Sequence, residues 1–76
     1  MNADIDSIRT EMVVVGCDGG VLGAVEAVLA FELKLARTPD TTSAHVVPLG
    51  YIARVDDVVR LAVTEAEARR HWREAS

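Results

Sequence analysis

Few side chains in this sequence could do chemistry: Cys17, the histidines His45 and His71, the adjacent carboxylates Asp56 and Asp57, and Arg69, Arg70 and Arg73 around Trp72. A thiol becomes nucleophilic when a nearby cation or base favours the thiolate. Cys17 sits in Gly16-Cys17-Asp18-Gly19-Gly20, beside an aspartate and glycines, and reads as an ordinary turn residue. His45 and His71 belong to different predicted elements, and no third ligand falls at a metal-site spacing. Asp56-Asp57 lacks the alternating oxygens and closing glutamate of a calcium loop, so it reads as a turn. The glycines have neither the GxGxxG spacing nor a following lysine, and they lead into a strand, which leaves no helix terminus to receive phosphate. These patterns predict no catalytic, cofactor-binding or metal-binding residue, and a chain that is not an enzyme.

The arginine group offers cations beside an aromatic ring, a combination suited to RNA or an acidic partner. A solvated helix end explains the same residues, because cations favour the negative end of the helix dipole. With 8 Lys and Arg against 12 Asp and Glu, the net charge is −4. That balance disfavours general nucleic-acid binding, which requires a cationic surface. An RNA- or ribosome-associated module using Arg69, Arg70 and Arg73 is the alternative reading.

The elements that must position these residues follow from periodicity. Residues 4–12 place Ile5, Ile8 and Met12 three and four apart behind a capping Asp4, which predicts a helical turn. Residues 12–16 read as a strand, 17–20 as a tight turn and 21–29 as the returning strand, with Gly23 marking a bulge or close contact. In 31–36 the alternation puts Leu33 and Leu35 on one face and Glu32, Lys34 and Ala36 on the other. Residues 38–44 have loop composition, and Val46 and Val47 form a strand that Pro48 ends. Leu49, Ile52 and Val55 fall three apart around Tyr51, which predicts a turn or short 3-10 segment. Residues 58–63 alternate as a further strand, and Thr64-Glu65-Ala66-Glu67 is a capping box that opens a helix over about 65–74.

The sum is one domain spanning residues 1–76, mainly β, predicted as a small antiparallel barrel over about 11–63 with a C-terminal helix. No apolar run reaches the roughly 20 residues of a membrane helix, and the start of the sequence lacks the plan of a secretory signal. A cytoplasmic location away from membranes is expected. A single cysteine supplies no internal disulfide, and a domain this small has little stability to spare. Val13-Val14-Val15, Ala27-Val28-Leu29 and Val58-Val59 fill both faces of their strands. A homodimer that covers the outward apolar groups is therefore expected, with Tyr51, Val58 and Trp72 in partner or dimer contacts.

Val15-Gly16 before Asp18-Gly19, Leu22-Gly23-Ala24-Val25-Glu26, Val47-Pro48-Leu49 through Tyr51-Ile52 to the stretch from Arg54 to Leu61, and the helix from Thr64 to Trp72 together resemble the PRC-barrel superfamily, in its short stand-alone bacterial branch. The resemblance covers about residues 5–73. It implies an SH3-like β-barrel that acts as a docking or assembly module without catalysis, and it carries over no catalytic residue. The chain departs from that branch at His45-Val46-Val47, where an aromatic and histidine cluster often precedes the proline, and at Gly50.

Overall fold

The computed structural model describes residues 7–36 and 43–75. The predicted helical turn around Asp4 and Ile5 and most of the 38–44 loop lie outside these residues. Ile8 and Met12 lie within them and pack, partly buried, against the core. Among the described residues, seven strands and one short helix make a mainly β architecture. In chain order these are β1 (Val13–Val15), β2 (Val21–Val28), β3 (Glu32–Leu35), β4 (Ala44–Pro48), a 3-10 turn (Leu49–Tyr51), β5 (Ile52–Val55), β6 (Val59–Leu61), α1 (Glu65–His71) and β7 (Arg73–Ala75). The strands lie in the order β5-β6-β1-β2-β3-β4-β7, so β5 and β7 are the two edges and the sheet is not closed. All neighbours are antiparallel except β1 and β6, which run parallel.

The turn at 17–20 joins neighbouring strands, as glycines able to take positive φ allow. Gly16 N–H donates to the Gly20 carbonyl at 2.8 Å, and Gly19, with φ 89°, donates to the Gly16 carbonyl at 2.9 Å. The pairing then slips: Val14 faces Gly23 while Val15 faces Val21, which leaves Leu22 as the extra residue of a bulge beside Gly23. A bulge reverses the alternation of a strand. That is why Leu22 and Val25, three apart, both enter the core.

Another bulge accounts for the apolar spacing of Leu49, Ile52 and Val55. That spacing predicts a turn or short 3-10 segment, which Leu49–Tyr51 forms, whereas Ile52–Val55 is a strand paired with β6. The β5–β6 register shifts between Ile52 and Arg54, so a strand shows a spacing of three. Leu33 and Leu35 point inward as alternation requires, and Val59 and Leu61 do the same. One core cluster draws on β1 through β6 and on Ala68 of α1.

The helix starts as predicted, with Thr64 Oγ1 accepting from the Glu67 N–H at 3.1 Å. It ends sooner, at His71. Trp72 is extended (φ −72°, ψ 160°), and Arg73–Ala75 forms β7 instead of continuing the helix to 74. The free edge of β4 offers that segment backbone partners in register, Val46 opposite Arg73, His45 opposite Glu74 and Ala44 opposite Ala75. A sheet edge overrides local helix propensity here.

Candidate functional site

The features that could meet a partner fall in two places on the β3–β4 half of the sheet. The first is the β2–β3 turn. Leu29 N–H donates to the Glu32 carbonyl at 2.8 Å, closing a tight turn that carries Ala30 and Phe31 at its tip. Phe31 is 84% exposed, and Val28 and Leu29 flank it at 41% and 42%. Phe31 has the same parity as Leu33 and Leu35, so alternation alone assigns it inward. Its side chain follows the turn instead of the pleat, because it precedes the first paired residue of β3. The Leu49 N–H donates to the Phe31 carbonyl at 3.0 Å, which sets the 3-10 turn carrying Tyr51 beside this apolar tip.

The remaining apolar surplus is partly buried. Val15 and Val46 are buried, and Val58 is half-buried in the β5–β6 turn, whereas Val13 and Val21 are exposed. Of the residues predicted as partner contacts, Tyr51 ends the 3-10 turn and packs against the core, Val58 lies in the β5–β6 turn, and Trp72 sits at the end of α1, also against the core. All three are half-buried.

The second place is built around Trp72. Its ring stacks on His45 of β4, with centroids 3.9 Å apart and planes 10° from parallel. The Arg69 guanidinium lies over the indole, 5.1 Å from the centroid. Arg69 also pairs with Glu65 at 2.7 Å and donates to the Val21 carbonyl at 3.2 Å. Arg73 pairs with Glu32 of β3, and His71 Nε2 lies 3.4 Å from a Glu67 carboxylate oxygen. Arg70 is exposed on α1. Two of the three guanidiniums singled out for RNA therefore already have carboxylate partners within the chain. The two histidines do not converge: one stacks on Trp72, the other pairs with Glu67.

The glycine turn has a structural duty that its sequence does not announce. Asp18 Oδ1 accepts from the Gly20 N–H and from the Glu65 N–H, each at 3.2 Å, and these bonds hold the Asp18 carboxyl below the usual carboxylate range, Gly20 contributing most. The Cys17 N–H donates to the Val63 carbonyl at 2.8 Å, and its thiol is exposed. The turn is thus a cradle for the start of α1. At the opposite turn, Asp56 accepts from the Val58 N–H and pairs with Arg54, and its carboxyl is likewise lowered, the Val58 bond first. A shallow cleft of about 310 Å³ beside that turn is lined by Arg9, Thr10, Glu11, Met12, Asp56 and Asp57. Glu11 takes φ 71° there, and its N–H donates to the Val25 carbonyl at 2.7 Å. Among the described residues no group of three or more His, Cys, Asp or Glu is placed to hold a metal ion.

A family model described as "Uncharacterized protein conserved in bacteria (DUF2171)" matches residues 8–69. The chain belongs to this family. The matched segment runs from Ile8 through the glycine turn, the three bulged hairpins and α1 as far as Arg69, so the Asp18 cradle and the apolar tip fall inside it. Trp72 and β7 fall beyond it. No curated protein and no solved structure matches the chain. Among the described residues no helix is long and apolar enough to cross a membrane.

Proposed function

We propose that the protein is a non-enzymatic interaction and assembly module of the PRC-barrel type that associates with a second copy of itself. The observation that carries this reading is the β2–β3 tip. Phe31, Leu29 and Val28 present contiguous apolar side chains to solvent on a domain that has little stability to spare. Two copies meeting through this tip bury the same patch on both sides, the arrangement that two-fold symmetry requires. The 3-10 turn that starts at Leu49 is held against the tip by the bond from the Leu49 N–H to the Phe31 carbonyl.

The barrel-like part of the reading is supported by β2. This strand pairs with β1 through its first half and with β3 through its second, and the bulge near Gly23 bends it between the two. Both halves of the sheet then wrap one core, as an SH3-like curl does.

Sedimentation of the full chain across micromolar concentrations tests the proposal. A dimer is expected, and Phe31→Asp should weaken it by about tenfold or more, since each copy would bury a charge where an aromatic ring belonged. A wild-type chain that stays monomeric throughout overturns self-association. A dimer that Phe31→Asp leaves unchanged overturns the role of the tip.

A further inference from the structure

We infer that the outer edge of β4 is a strand-exchange site, at which β7 of one copy can replace β7 of another. The inference adds a second contact to the self-association reading, and rests on it only for the identity of the partner.

β7 is a separable piece. It is three residues long, joins α1 through the single residue Trp72, and among the described residues pairs only with β4. The ladder to residues 44–46, the stack of Trp72 on His45 and the ion pair of Arg73 with Glu32 hold it among the described residues. The stack and the ion pair are made by side chains that are not fully buried; Trp72 rests against the outside of the core cluster, so its release uncovers that cluster at one edge without removing any of its fully buried members. Seat and occupant come from one chain. The β7 of any second copy therefore reproduces the register, the ring stack and the ion pair without new complementarity having to be built.

The open form is locally favoured. Residues 65–74 read as one helix, and the segment after His71 departs from it first at Trp72, with ψ 160°, and stays extended through β7. Returning Trp72 to helical ψ lifts Arg73–Ala75 away from β4, and α1 lengthens as those three residues leave their extended conformation. Arg, Glu and Ala are good helix formers, so the released segment does not simply fall into coil. A conflict between local propensity and tertiary placement marks an element with two accessible positions. The uncovered β4 edge then presents the unpaired backbone groups that make an edge a template for another strand. Glu32 and His45, which form the seat, lie within the family-matched segment, whereas Trp72 and β7 lie beyond it.

A charge exchange between copies tests this. The experiment uses the full chain carrying Phe31→Asp, which weakens contacts through the apolar tip. Two further variants are made on that background, Glu32→Arg and Arg73→Glu. Each alone places like charges together, in its own fold and in its own homodimer. Mixed one to one, they restore both ion pairs only by exchanging β7 between copies. Native mass spectrometry should show a heterodimer enriched about tenfold over either homodimer, since two restored pairs each contribute up to a few-fold. The double variant Glu32→Arg with Arg73→Glu restores the pair within one chain and should show no such preference for a partner. A mixture that stays monomeric, or that forms dimers in random proportion, overturns the inference. If a single variant fails to fold by itself, the two are refolded together: a folded heterodimer then supports exchange, and a mixture that remains unfolded refutes it.

Discussion

Asp18 Oδ1 lies 3.2 Å from the Glu65 backbone nitrogen, so a residue of the first hairpin turn caps a helix 47 residues further along the chain. Thr64 caps the same helix from its own side chain. One end of a short helix is thereby tied to both the local sequence and the β1–β2 turn. Four N–H groups at a helix start lack partners within the helix, and here two side chains answer two of them.

Replacing Asp18 by Asn should lower the melting temperature at neutral pH and remove part of the acid sensitivity of the fold. The Asp18 carboxyl titrates below its ordinary value in the folded protein. It therefore adds stability that is complete above the unfolded-state value and is lost as pH falls from about 4 through the lower folded-state value. Thermal melts from pH 7 down to 3 check this: the gap between wild type and Asp18→Asn should close as the pH drops. A gap that stays constant with pH removes the carboxylate from the account.

Three glycines should respond to alanine in a definite order. A Cβ on Gly16 would collide with the Glu65 amide nitrogen and lie 2.8 Å from the Thr64 carbonyl carbon, both backbone atoms that move only if the helix moves. Gly16→Ala should cost about 1–3 kcal/mol or more, the range of an overpacked interior. Gly19 has open space around it but φ +89°, so Gly19→Ala should cost about 1 kcal/mol through backbone strain alone. Gly50 has neither constraint, and Gly50→Ala should be close to neutral. Urea titrations of the three variants give the order directly.

Core and cap should separate cleanly in size. Leu61 is fully buried in the core cluster, and Leu61→Ala should destabilise by about 2–5 kcal/mol. Thr64→Ala removes the cap to the Glu67 N–H and should cost about 1 kcal/mol. Equal losses in denaturant unfolding would mean that α1 is as central to stability as the sheet.

Trp72→Ala should loosen β7 and leave the rest of the sheet in place. The lost ring stack on His45 is worth about 0.5–1.5 kcal/mol beyond its buried area. Amide hydrogen exchange should quicken across 44–46 and 73–75, whereas Leu33 and Leu35, fully or almost fully buried in β3, keep their protection. Uniformly faster exchange would instead mean that the packing of Trp72 on the core, not its stack on His45, dominates its contribution.

Elements built from neighbouring residues were readable before any coordinates. The glycine turn, the inward faces of β3 and β6, Pro48 closing β4 and the Thr64 cap all rest on contacts a few residues apart. The sites were less readable. Phe31 has core parity, and only the tight turn before β3 turns it to solvent. Ile52–Val55 carries the spacing of a turn because a bulge shifts its register against β6. The acidic half of the Asp18 bond is plain in the sequence, but its partner is 47 positions away and leaves no local signature.

The amino acids by themselves determined which stretches are extended, where the chain reverses, and that a helix begins after Thr64, because φ preferences, alternation and capping act over a handful of residues. Tertiary structure decided where the helix stops, which apolar side chain is left outside, and what the glycine turn holds. Those outcomes depend on a sheet edge, a neighbouring turn or a distant amide being close by, and proximity of that kind exists only once the chain has folded.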